Sequence, residues 1–192
     1  MWTRLEGTDL WEVARVAHET PVGRKFHVFE HPLRLYEIAE MLNVPYDVVL
    51  DKAILFHDAV YEGKPDDVRR SADLLLTHDP SAQRSADLIM TTETHAPSSD
   101  NRLVLLDLHD LGDVDRALRN RDLIREEFMA LKGISAEAYD AGSTAFMQEL
   151  RDRIVEGVQS ARVHRDDLDA FSRILRGMAE VFPKPQASDF SM

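Results

Sequence analysis

The chain has 192 residues, enough for one compact domain with a sizeable core, and is read as a single unit over 1–181 followed by a loose tail over 182–192. Lys and Arg total 23 against 35 Asp and Glu, and the formal net charge of -12 argues against bulk attraction to nucleic acid or anionic membranes. An anionic small molecule stays open, because it sees only a local field.

There is no cysteine, which excludes disulfides and thiolate ligands, so any metal must rest on imidazole and carboxylate. The start MWTRLEGTDLWEV lacks the apolar core of a signal peptide, and no run approaches the roughly 20 apolar residues of a membrane span, so the expected compartment is the cytoplasm.

Apolar residues recur at helical spacing almost throughout, and alternating β-branched runs bounded by turns are missing, which predicts an all-α fold. In chain order the spacing predicts helices over 8–19, 30–42, 46–60, 67–78, 80–93, 101–111, 113–131, 135–158 and 165–180. Asn43 with Pro45 and Asp79 with Pro80 pair a capping side chain with a first-turn proline, and Ser135 precedes an acidic first turn at Glu137. Gly63, Gly112 and Gly133 stand where helices should stop.

Three places put polar groups where the apolar pattern expects none. In FHVFEHPLRLYEIAE, His31 opens a stripe continued by Leu35, Ile38 and Leu42, with Pro32 tolerable only in a first turn. In ILFHDAVYE, His57 shares a face with Leu50, Ala53 and Ile54, and Asp58 follows Ile54 and Leu55. In NRLVLLDLHDLG, Asp107 is bracketed by Leu103, Val104 and Leu111. A buried carboxylate is costly without a partner or a metal. Alone, each residue reads as well as a satisfied core group. Jointly, His31, His57, Asp58 and Asp107 supply two imidazoles and two carboxylates, a set suited to a divalent ion with open positions.

The order of these residues, His31, then His57-Asp58 beginning 26 residues on, then Asp107, resembles the HD-domain superfamily of metal-dependent phosphohydrolases over roughly residues 24 to 150. The chain is most similar to a small subfamily marked by R-x-x-H-x-x-x-H, here RKFHVFEH, and by FHDAVY at 56–61. DL-x-x-LG in DLHDLG, IR-x-E in IREE, Tyr139 and Gly142 add weaker similarities. One departure stands out, since that subfamily tends to carry Asn-Glu where this chain has Asp67 and Val68. The catalytic acid or base must then come from Glu62, Asp66 or Asp67.

The resemblance implies a single HD-type helical domain that hydrolyses a phosphate ester or anhydride, with a nucleoside mono- or triphosphate as the expected substrate. The implied cofactor is a divalent ion among Mn, Co, Ni, Fe, Mg and Zn, which lowers the pKa of the water it binds. Asp58 would bridge ion and water, and Glu62 would accept a proton or orient the water. Arg24 and His27 could reach a phosphate, and His95 could act as a phosphate contact, general acid or second-metal ligand. His78, His109 and His164 read as surface residues. Arg69, Arg70 and Arg125 fit a nucleotide pocket or a solvated face equally.

Fold-level analogy allows a homodimer. The rival readings are a di-iron oxygenase using His78 and His95, and a nucleotide-binding regulatory module without turnover. No phosphate loop, dinucleotide fingerprint, H-E-x-x-H or G-x-S-x-G competes with them.

Overall fold

A computed structural model describes residues 2–160 and 163–182, so the predicted tail at 183–192 lies outside the described residues. Phe182, assigned by the sequence to that tail, is buried against Ala117 and Val181.

Among the described residues the chain forms helices and turns with no strand, as the apolar spacing predicts. The helices are α1 (Asp9–His18), α2 (Glu30–Met41), α3 (Val48–Phe56), α4 (Asp67–His78), α5 (Gln83–Met90), α6 (Arg102–Asp107), α7 (Val114–Lys132), α8 (Ala136–Gln159) and α9 (Leu168–Val181). Short 3-10 turns at Thr91–Glu93 and His109–Gly112 follow α5 and α6. No helix among the described residues is long and apolar enough to cross a membrane.

Thr8, Asp47, Asp113 and Ser135 each turn a side-chain oxygen onto a first-turn N–H of α1, α3, α7 and α8. Ser135 is the predicted cap, whereas Asn43 and Asp79 serve differently. Asn43, at φ 53°, lies just past α2 and closes that helix, leaving Asp47 to open α3. Asp79 accepts from the amide and hydroxyl of Ser81 in a turn, and α5 starts only at Gln83. Gly133 ends α7 at φ 64°, a conformation glycine adopts without strain.

Helix α3 runs through the centre, with Leu50, Ala53, Ile54, Leu55 and Phe56 wholly buried and α2, α4, α5 and α6 packed around it. Asp51, also wholly buried there, accepts from the Thr3 hydroxyl at 2.6 Å and the Arg4 amide at 3.0 Å, which pins the N-terminal segment to the core. Helix α6 is shared between two cores. Its Leu103 and Leu106 face the α3 core, while Val104 and the following Leu108 join Leu150, Ile154, Phe171, Ile174 and Met178 from α8 and α9.

Helix α3 ends at Phe56, short of the predicted end at 60. The cause is tertiary, because Arg24 donates to the carbonyls of Asp58, Ala59 and Tyr61. Those oxygens are thereby satisfied without a further helical turn.

Candidate metal centre

His31 lies in the first turn of α2, His57 caps the C-terminal end of α3, Asp58 follows it, and Asp107 is the last residue of α6. Three helix ends therefore bring the four predicted ligands together, and one donor atom from each lies within 4.8 Å of all the others. The Nε2 atoms of His31 and His57 are 3.1 Å apart, and His31 Nε2 is 3.1 Å from Asp107 Oδ1 and 3.5 Å from Asp58 Oδ2. His57 Nε2 is 3.1 Å from Asp58 Oδ2 and 3.7 Å from Asp107 Oδ1.

Ligand atoms about 2.0–2.2 Å from one ion stand about 2.8–3.6 Å from one another at tetrahedral or octahedral angles. The five separations that involve an imidazole nitrogen match that spacing to within about 0.1 Å. His57 Nδ1 donates to the Ile54 carbonyl at 2.9 Å, so in its neutral form the ring turns the lone pair of Nε2 toward the cluster. With both imidazoles neutral the cluster carries two negative charges, which a divalent cation balances.

The electrostatics show how strongly the two carboxylates draw positive charge, on a proton or a cation, to this point. Burial pushes the His57 imidazole down, but the carboxylates of Asp58 and Asp107 outweigh it and hold the group well above its ordinary value. Burial likewise pushes Asp58 and Asp107 up, and the surrounding imidazoles more than reverse it, holding both acids below the usual carboxylate range. The acids stay ionised, as ligands must.

His95 Nε2 lies 2.8 Å from Asp107 Oδ2, the oxygen turned away from His31, and its Nδ1 is buried without a protein partner among the described residues. It holds the Asp107 carboxylate in one orientation. His27 stacks on Tyr61 with ring centres 3.7 Å apart and holds Nε2 4.0 Å from Asp58 Oδ2. Its Nδ1 bonds to Glu127, a wholly buried acid whose Oε2 also accepts the amides of Lys25, Phe26 and His27 at 2.8, 3.0 and 3.0 Å. The sequence assigned Glu127 no role. Its signals are the last place in IREE and the apolar face it shares with Leu123, Ile124, Ala130 and Leu131.

Other predicted site residues have structural work instead. Arg24, expected at a phosphate, spends four of its N–H groups on the carbonyls of Tyr61, His27, Asp58 and Ala59. Glu62, expected as proton acceptor, accepts from Arg70 and pairs with Lys64, which holds its carboxyl down at about 2 and makes it a poor base. Asp67 is buried and accepts the amides of Glu62 and Lys64, closing the 62–67 loop, and Asp66 is exposed at the start of α4. None of these four lines the cavity described below.

His78 is exposed at the end of α4 and outside the cluster, so of the two histidines the di-iron reading draws on only His95 is near. His164 is exposed as expected, but His109 is buried because α6 stops at Asp107 and the following 3-10 turn carries it inward. Arg70 and Arg125 pair with surface acids, and Arg69 is exposed.

A cavity of about 370 Å3 opens beside the cluster, with His27, Asp58, His95 and Asp107 at one end. Its walls are largely apolar, with Phe26, Tyr61, Phe128, Tyr139, Phe146 and Val68 prominent. The residues of the weaker sequence similarities, Leu108, Leu111, Tyr139 and Gly142, also line it. A comparison with family models, curated proteins and solved structures finds no match to this chain. The likeness to the HD superfamily thus rests on the chain's own residues.

Proposed function

We propose that this protein is a metal-dependent phosphohydrolase acting on a phosphate ester or anhydride of a small molecule, with nucleotides the first class to test. The observation that carries the reading is four donor atoms at the mutual spacing of ligands on one ion, two of them, from Asp58 and Asp107, on residues that also border a cavity. The HD-type order of these residues adds support.

His31, His57, Asp58 and Asp107 would hold the ion. When bound, a divalent cation supplies a water of lowered pKa and neutralises phosphoryl oxygens as charge shifts toward the leaving group. Glu127 accepts the Nδ1–H of His27 and so leaves Nε2 facing the cavity, where that atom exchanges a proton with water or with the leaving oxygen. His95 keeps Asp107 in one orientation. The apolar walls exclude competing water.

The test is a screen of metal-loaded protein, with Mg, Mn, Co, Ni and Zn in turn, against nucleoside mono-, di- and triphosphates, cyclic nucleotides and simple phosphomonoesters. Hydrolysis that disappears in Asp58→Ala supports the reading, and hydrolysis that survives it assigns the activity elsewhere. A binding module without turnover is the second reading, favoured by Val68, an apolar wall residue where the related subfamily carries an acid. It predicts ligand binding with no phosphate released at any metal.

A further inference from the structure

The cavity's walls carry more information than its metal end. Among the described residues no lysine or arginine lines it. Of the nearby cations, Arg24 is committed to four carbonyls, Arg34 to Asp110 and Glu37, and Arg70 to Glu62 and Asp67, while Arg116, 3.8 Å from Asp110, and Lys25 line with Arg34 a smaller adjoining cavity of about 180 Å3 that also reaches His31 and Asp107. The ionised groups on the lining are acids, Asp58, Asp107 and Asp110.

A phosphoryl group placed at the metal end would find its counter-charge in the ion, with His27 and His95 beside it. A second or third phosphate extending into this larger cavity would lie among phenylalanine, tyrosine and leucine side chains without a cation, and burying an ionised group unpaired is costly. A volume of about 370 Å3 is small for a ligand pocket, near the lower end of the roughly 300–1,000 Å3 range. Its far walls are built for a flat apolar group. Phe128 and Tyr139 meet edge to face with centroids 5.5 Å apart, and Phe146, 42 % exposed although it lines the cavity, stands at the rim.

We propose that the substrate carries a single phosphoryl group on a compact, apolar, ring-bearing alcohol or phenol, the phosphoryl group at the metal end and the ring against the aromatic wall of Phe128, Tyr139 and Phe146. This rests on the phosphohydrolase reading for its reaction and on the walls for its substrate class. In the step, a water oxygen bonds to phosphorus as the ester P–O bond breaks. One water proton ends on the leaving oxygen, giving the free alcohol or phenol and inorganic phosphate.

The test uses the full chain loaded with Mn, calorimetric titration with phenylphosphonate and methylphosphonate, and hydrolysis of phenyl phosphate, glycerol phosphate and nucleoside triphosphates. Phenylphosphonate binding at least tenfold tighter than methylphosphonate is expected, together with kcat/KM for phenyl phosphate at least tenfold above the triphosphates. Phe146→Ala, at a partly exposed position, should narrow the ratio between the two phosphonates at least threefold.

Equal affinities for the two phosphonates, or triphosphates as the better substrates, overturn the proposed class while leaving phosphohydrolysis intact. Tight phenylphosphonate binding with no phosphate ester hydrolysed at any metal keeps the ligand class and removes the reaction. No binding and no hydrolysis remove both.

Discussion

Glu127 offers a perturbation whose size follows from the structure. Its wholly buried carboxylate accepts three backbone amides and the His27 ring, and the partners lie 100 or more residues away in sequence. Hydrogen bonds to a charged group contribute about 1.5–3 kcal/mol each, and removing one side of a buried charged pair costs about 3–5 kcal/mol overall, since the donors are left behind. Glu127→Ala should therefore destabilise the fold by about 3–5 kcal/mol, a large share of the 5–15 kcal/mol typical of a domain.

Urea unfolding in the presence of a chelator keeps metal occupancy out of the comparison. With a slope of about 2 kcal/mol per molar, the midpoint should fall by about 1.5–2.5 M. Glu127→Gln keeps an oxygen for the amides and should fall between the two. A midpoint shift below about 0.5 M in Glu127→Ala, roughly 1 kcal/mol at that slope, would refute the argument that this acid anchors the 24–27 loop.

Free divalent metal at a hundred times its dissociation constant should stabilise the wild type by about 2.7 kcal/mol, raising Tm by about 5–11 °C at this chain length. In Asp107→Asn and His31→Ala the rise should be lost and bound metal reduced, and an undiminished rise would remove those residues from the ligand set. His18 is pushed down to about 3 by burial, against about 6.5 in the unfolded chain, so between those values only the unfolded state takes up the proton and stability falls as pH falls. From pH 6.5 to 5 this costs about 1.5–2 kcal/mol, which His18→Gln should abolish, and parallel stability curves for the two proteins would contradict it. In Gly177→Ala the new methyl would overlap the Leu111 carbonyl where α9 packs on the turn after Asp107, costing about 2–3 kcal/mol; an unchanged Tm would show that α9 can shift freely.

The four residues of the cluster were legible because each stands within or at the end of an apolar stripe, a signal that needs no knowledge of the tertiary fold. Glu127 carries a similar signal, with Leu123, Ile124, Ala130 and Leu131 on its face of α7, but the adjacent Arg125 and Glu126 mask it, and its partners come from a loop near the start of the chain that docks on α7. Asp51 has Val48, Ile54 and Leu55 at helical spacing, and its partners Thr3 and Arg4 are equally remote in sequence. Helix existence and order were readable from spacing and caps. The end of α3 was not, because Arg24 sets it from outside, and the burial of His109 was not, because a change of helical pitch after Asp107 cannot be read from apolar spacing.

The same facts explain why the carboxylates nearest the dyad in sequence are poor candidates for chemistry. Arg24 ties the His27 carbonyl to those of Asp58, Ala59 and Tyr61, and Glu127 ties the 24–27 loop to α7. Asp67 closes the chain from Glu62 onward, and Glu62 is neutralised by Arg70 and Lys64. Each of these charges is spent on holding the segment that carries Asp58, whose carboxylate must stand within about 3 Å of its neighbours for one ion to be shared. Facing the cavity besides Asp58 and Asp107 are two imidazoles, His27 and His95, and the carboxylate of Asp110, which Arg34 already holds. In a chain of net charge -12, whose larger cavity presents no lysine or arginine among the described residues, a bound cation is what would reverse the sign of the field for an anion entering there. Metal loading should therefore be a condition for substrate binding as well as for turnover, and a phosphonate that binds equally well to metal-free protein would contradict that order.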